Sequence, residues 1–126
     1  MELRRGDITI VRPLLIGTAG QVRLDMVLDT GASLTMIPPD IAKKLGCDLI
    51  RPTRMVDVIT ATTVEKAPTV ILEAIELLGK RVARVEVVCK DLPAKSRAEG
   101  LLGVNFLDHF DIELFYKSGR LELKDP

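Results

Sequence analysis

The chain has 126 residues, room for one ordinary domain, and it is read as a single domain over residues 1–126. Eighteen Lys plus Arg balance eighteen Asp plus Glu, so the chain advertises no strongly basic face for nucleic acid or an anionic membrane. Hydrophobic residues at 47% exclude a disordered composition, and aromatics at 3% with no Trp leave no stacking platform for single-stranded nucleic acid.

In chain order, Ile8, Ile10 and Arg12 alternate with Thr9 and Val11, which predicts a first strand. Gly17-Thr18-Ala19-Gly20 is a turn signal. Gln21 to Leu28 predicts a second strand, with Val22, Leu24, Met26 and Leu28 on one face. Alternation stops at Asp29-Thr30-Gly31, where glycine allows a tight bend. Pro38 to Gly46 predicts a helix, with proline at its start, Lys43 and Lys44 in its last turn and Gly46 ending it. Met55 to Ala61 reads as a strand. Thr69 to Leu78 suits strand or helix; the Gly79-Lys80 turn and the alternation at Val85, Val87 and Cys89 favour a hairpin of two strands. Leu92 to Arg97 is a loop and Asn105 to His109 a short helical turn. Ile112, Leu114 and Tyr116 lead through Lys117-Ser118-Gly119-Arg120 to a last strand at Leu121 and Leu123. Many short strands with one or two short helices predict an all-β domain, closed or sandwiched.

No apolar run approaches a membrane span, and the charged segment Met1 to Asp7 leads into no apolar signal region. The cytoplasm is therefore the expected location, with no membrane partner and with reduced thiols. Cys47 and Cys89 lack metal-binding spacing, and His109 is the single histidine, so no metal and no cofactor are expected. The two cysteines read as small packing side chains, His109 as a surface or capping residue, and Arg4-Arg5 and Lys43-Lys44 as solvated surface.

One stretch carries chemistry. Val27-Leu28 delivers Asp29 into the loop Thr30-Gly31-Ala32-Ser33, so a strand hands a carboxylate to a turn rich in hydroxyls and backbone N–H groups. Asp-Thr-Gly alone is a common turn. Here a second segment, Gly100-Leu101-Leu102-Gly103-Val104-Asn105-Phe106-Leu107, stands far downstream. With these two motifs in this order, the chain resembles the retropepsin-like aspartic proteases, the single-domain group that includes retroviral proteases and their cellular and bacterial relatives.

The resemblance implies a closed, β-barrel-like acid protease fold with one lobe per chain. It implies an aspartic endopeptidase, a hydrolase, acting on a peptide or protein substrate. Such chemistry uses two carboxylates sharing one proton, as in the general account of these enzymes. The chain holds one Asp-Thr-Gly, so the second carboxylate has to come from a second copy, in a homodimer whose two-fold axis passes between two Asp29 side chains. By the same resemblance Asp29 is the catalytic residue, and Thr30 hydrogen-bonds across the axis to its twin. Gly31 leaves its backbone free for substrate, and Ser33 donates to Asp29. Ala32 and the flap line the cleft, the flap residues being Ile59, Thr60, Ala61 and Thr62. Leu101, Leu102 and Gly103 pack beneath the active-site loop. The apolar character of Ala32, Ile59, Ala61 and Leu102 suggests substrates with apolar side chains around the cut.

The sequence departs from the retroviral pattern at the flap. Retroviral flap tips are glycine-rich, whereas Val58 to Val64 contains no glycine and several β-branched residues, which stiffen a loop. Two other readings compete. One is a catalytically weak or inactive module of the same fold that dimerises or binds peptide. The other is an unrelated small β-barrel that binds a ligand, which accounts for the alternation but not for the paired motifs.

Overall fold

The structure, a computed structural model, describes residues 9–126, so Ile8 of the first expected strand lies outside it. Ile10–Val11 form β1 and Leu14–Gly17 form β2. Pro13 separates them, because proline has no N–H to give to a ladder. β2 turns through Thr18-Ala19 into β3, Gly20–Arg23, at the expected turn. The single strand expected over Gln21 to Leu28 is in fact two, since Met26–Leu28 form a separate β4. The face alternation survives, with Leu24 and Met26 buried and Gln21 and Arg23 exposed. The strand breaks because its halves have different partners: β3 pairs with β2, and β4 pairs with β1. At the joint the Leu24 N–H donates to the Pro13 carbonyl, and the Asp25 carbonyl accepts from the Glu99 N–H.

Thr35–Ile37 form β5, and Pro39–Lys44 form α1. The expected signals hold for α1: Pro38 precedes it in extended backbone, and Gly46 leaves it at φ +94°, in the left-handed region. Arg54–Ile59 form β6, Val64–Leu77 form β7 and Lys80–Cys89 form β8. β7 starts at Val64 rather than Thr69 because Val64 to Pro68 pair with β6. Gly100–Leu102 form β9, Val104–Leu107 form α2, Asp111–Phe115 form β10 and Arg120–Lys124 form β11. β2, β5 and β9 have no counterpart in the sequence reading; each spans four residues or fewer, too few for a period of two to show.

The main sheet runs in the order β1-β4-β9-β5-β8-β7-β2-β3, with β6 added on β7. β1 and β2 lie at opposite ends of that order, yet only Arg12 and Pro13 join them. β3 and β4 are likewise joined by only Leu24 and Asp25. Two residues reach roughly 7–10 Å, so the sheet has to curl until its ends meet. This is the mainly β, barrel-like lobe expected from the sequence. Inside it Leu15, Leu72, Ile75, Leu102 and Phe106 are fully buried, and Leu121 and Leu123 of the β10–β11 hairpin close one side. No helix among the described residues is long and apolar enough to cross a membrane.

Two polar residues are fully buried among the described ones, Thr35 and Thr69, and no buried side-chain polar atom there lacks a partner. Thr69 marks a boundary. On its N-terminal side β7 pairs with β6 only, and from Thr69 onward it pairs with β8. The ribbon from Arg54 to Pro68 therefore projects from the lobe. Two ion pairs tie it to β8 and the residue after it. Arg54 grips Glu86 with two hydrogen bonds, Nε to Oε2 at 2.7 Å and Nη2 to Oε1 at 2.9 Å. Lys90 pairs with Glu65.

The Arg54 fork holds the Glu86 carboxyl below the ordinary range, and the Thr69 hydroxyl acts in the same direction. A folded pKa below the unfolded value of about 4.3 gives a contribution that is complete above that pH and is lost as pH falls through the folded value. Urea midpoints measured from pH 6 down to pH 3 should fall more steeply for the parent chain than for Glu86→Gln. Parallel curves would show that Glu86 carries no such contribution.

Candidate active site

Asp29 stands where β4 ends. β4 runs parallel to β9, with Val27 opposite Leu101 and Leu28 opposite Leu102. The last bond of that run joins the Asp29 N–H to the Leu102 carbonyl at 3.0 Å. The chain then turns at once. The Gly31 N–H donates to Asp29 Oδ1 at 2.9 Å, and the Ala32 N–H donates to the Asp29 carbonyl at 3.3 Å. This is the local bond by which an Asp side chain imitates a backbone turn. It orients the carboxylate while leaving Asp29 half-buried and Thr30, Gly31 and Ser33 exposed. The donor expected for the carboxylate is Ser33; the structure has the Gly31 N–H instead, and Ser33 contributes its carbonyl, which accepts the Asn105 N–H at 3.2 Å.

The support beneath the loop comes from β9 and α2. The Val104 N–H donates to the Ala32 carbonyl at 2.7 Å. Gly103 has an ordinary φ of −95°, so conformation does not demand glycine there; space does. A Cβ on it would meet the Leu34 carbonyl carbon at 2.7 Å and the Ala32 and Leu34 carbonyl oxygens at 2.8 Å. Leu102, expected both under the loop and along the cleft, is fully buried, and Leu101 is half-buried.

The sequence reading missed Thr35 and Asn105. Asn105 Oδ1 accepts from the Thr35 N–H at 3.0 Å and from the Thr35 hydroxyl at 2.9 Å. The same hydroxyl oxygen accepts the Gly103 N–H at 3.1 Å. Asn105 Nδ2 donates to the Glu86 carbonyl on β8 at 2.7 Å. The signal was present: each is a lone amide or hydroxyl inside an apolar run, Leu34 to Ile37 and Leu101 to Leu107.

The expected flap residues sit at the tip of the β6–β7 ribbon. Ile59 is the last residue of β6 and pairs with Val64, and Thr60, Ala61 and Thr62 lie in the exposed turn. The Thr60 N–H donates to the Thr63 carbonyl at 2.8 Å, and Thr60 Oγ1 accepts the Thr63 N–H at 3.0 Å. The two threonine hydroxyls are 2.8 Å apart. No hydrogen bond among the described residues joins this tip to the Asp29 loop. An open cavity of about 350 Å³ beside Arg12, Arg23 and Arg120 and one of about 250 Å³ beside Cys47 do not contain Asp29.

Other candidate groups stay apart from this loop. Cys47 is half-buried and Cys89 buried, and both are free thiols. Burial raises the Cys47 pKa, and burial with the nearby Cys47 pushes the Cys89 thiol up to about 12, so neither is a ready nucleophile. His109 is exposed, with Nδ1 3.2 Å from the Phe106 carbonyl and 3.0 Å from Asp108. Among the described residues no group of three or more His, Cys, Asp or Glu side chains is placed to hold a metal.

A family described as aspartyl protease matches residues 15–106, a span that holds the Asp29 loop, the ribbon and Gly103. No curated protein matches the chain. A retropepsin-like aspartic protease from Rickettsia conorii is similar over 97% of this chain and 86% of that one, with a TM-score of 0.70 and 23% identity. The retroviral protease-like domain of Ddi1 from Leishmania major is similar over 94% of this chain and 90% of that one, with a TM-score of 0.59 and 13% identity. At these identities the two structures speak for the fold, which is retropepsin-like.

Substituting Gly103→Ala should strain backbone on both sides of the contact and cost about 1–3 kcal/mol, the usual penalty of overpacking. A thermal melt reads it directly. An unchanged Tm would mean that the loop yields without cost and that Gly103 does not fix it.

Proposed function

Because the chain belongs to the aspartyl protease family, we propose that it is an aspartic endopeptidase working as a homodimer, with residues 1–126 as one lobe. The observation that carries this reading is the single Asp-Thr-Gly loop, whose carboxylate is oriented by the Gly31 N–H yet left half-exposed. One carboxylate cannot both accept and deliver a proton in the same step. Two can, when the axis of a dimer sets Asp29 beside its twin. The ionised carboxylate then takes a proton from a water, whose oxygen attacks the scissile carbonyl carbon. The neutral carboxyl gives its proton to the carbonyl oxygen, and collapse of the tetrahedral species with protonation of the amide nitrogen breaks the C–N bond. The exposed Thr30 fits a contact across the axis, and the ribbon tip from Ile59 to Thr62 is the segment offered to a substrate.

The test is cleavage of a peptide library by the purified chain and by Asp29→Asn. Loss of an acid–base group should cost about 10²–10⁴-fold or more in rate. Activity of the parent should be bell-shaped in pH, because a carboxylate pair titrates in two steps. Equal cleavage by parent and variant would remove Asp29 from the chemistry. A folded, dimeric parent that binds peptides without cutting them would favour the inactive module.

A further inference from the structure

The tip of the β6–β7 ribbon is stiff. Thr60 closes the turn through its backbone N–H and through its hydroxyl, which accepts the Thr63 N–H and lies 2.8 Å from the Thr63 hydroxyl. A ribbon whose tip is pinned in this way moves as a unit, and such motion has to be taken up at the base. The base lies at Arg54 and Thr69, where β7 exchanges its partner β6 for β8. At that place stands the bidentate Arg54–Glu86 fork, a kind of pair that fixes direction as well as distance. The buried Thr69 hydroxyl lies 3.4 Å from the Arg54 carbonyl and within reach of the Glu86 carboxylate.

Glu86 serves two neighbours at once. Its side chain holds the ribbon, and its backbone carbonyl accepts from Asn105 Nδ2 at 2.7 Å. Asn105 in turn holds Thr35, and Thr35 holds Gly103 under the Asp29 loop. An unbroken series of bonds of 3.1 Å or less thus runs from the ribbon base to the floor of the loop. Of the two polar residues fully buried among those described, Thr35 is a link in this series and Thr69 stands beside its start at the ribbon base. We propose that Arg54 and Glu86 are positioning residues that set where the ribbon stands relative to the Asp29 loop, and so how well the enzyme holds its peptide. This rests on the protease reading above, with the ribbon as the substrate-covering segment.

The experiment uses the full chain with Glu86→Gln, Arg54→Met, the double variant, and Arg54→Lys, which keeps the charge and loses the fork. Hydrogen exchange is followed without substrate, and peptide cleavage is followed as KM and kcat. Each single variant should speed exchange across residues 54–68 about fivefold, the factor that a partly exposed ion pair is worth, and leave residues 70–77 unchanged. KM should rise by a similar factor with kcat within about twofold. The double variant should be no worse than either single, and Arg54→Lys should recover part of the loss. A fork that only stabilises the lobe would lower Tm and leave exchange of the ribbon and KM at parent values, and that result overturns the proposal. So does additivity of the two singles, or a fall in kcat at constant KM. If the parent cleaves no peptide, the protease reading fails, and the exchange measurements still decide whether the fork holds the ribbon.

Discussion

Two stretches of backbone meet at Gly103 with no side chain between them. On one side run the Ala32 and Leu34 carbonyls of the Asp29 loop, and on the other the start of α2. The closeness is what allows the bonds around it: the Val104 N–H reaches the Ala32 carbonyl, the Asn105 N–H reaches the Ser33 carbonyl, and the Gly103 N–H reaches the Thr35 hydroxyl. β9 is therefore held between β4 and β5, parallel to one and antiparallel to the other. The position of the Asp29 carboxylate follows from this contact more than from the loop's own turn bond. A single Asx-type bond to Gly31 would orient the side chain without saying where the loop lies.

The rigid floor and the projecting ribbon divide the lobe into parts with different freedom. The floor has ladder bonds on both sides of β9, a buried apolar bed at Leu102 and Phe106, and a satisfied polar cluster at Thr35 and Asn105. The ribbon has one ladder, between β6 and β7, and its Ile59 and Val64 face water. Few buried apolar contacts and a solvent-facing ladder place the ribbon at the low end of local stability. Glycine at a flap tip gives freedom inside the turn. In this chain Thr60 bonds within the turn at the ribbon tip, where the residues are β-branched or alanine and none is glycine.

What could be read from the sequence divides along the same physical line. The helix α1 was legible because its stop signals are local: Pro38 before it and Gly46 after it. The hairpin of β7 and β8 was legible because two long alternating runs flank one glycine turn. The Asp29 loop and the segment around Gly103 were legible as motifs. Partner exchange was not. Gln21 to Leu28 alternates without a break, and only the two ladders it joins, at opposite ends of the sheet order, divide it at Leu24-Asp25. The Arg54–Glu86 fork links residues far apart in sequence, and no spacing rule brings them together. Ser33 shows a related limit. Its place in the motif implied a bond to the carboxylate, while its backbone carbonyl, of which the motif says nothing, accepts the Asn105 N–H of α2.

Polar side chains in this apolar lobe sit where ladders run out. Asn105 bonds the Thr35 N–H and the Glu86 carbonyl at the point where β5 begins to pair with β8 at Thr35 opposite Val87. Its amide thus acts as one more ladder residue. Thr69 stands where β7 changes partner, and Thr60 stands where β6 and β7 part at the tip. A ladder end leaves backbone N–H and carbonyl groups without their regular partners, and burying such a group unpaired costs about 1–3 kcal/mol. Short hydroxyl and amide side chains satisfy these groups without adding a charge to the interior. At the ribbon base the same demand falls near the surface, where an arginine fork can remain partly hydrated. That explains why the charged tie is at Arg54 and Glu86 and the neutral one is at Thr35 and Asn105.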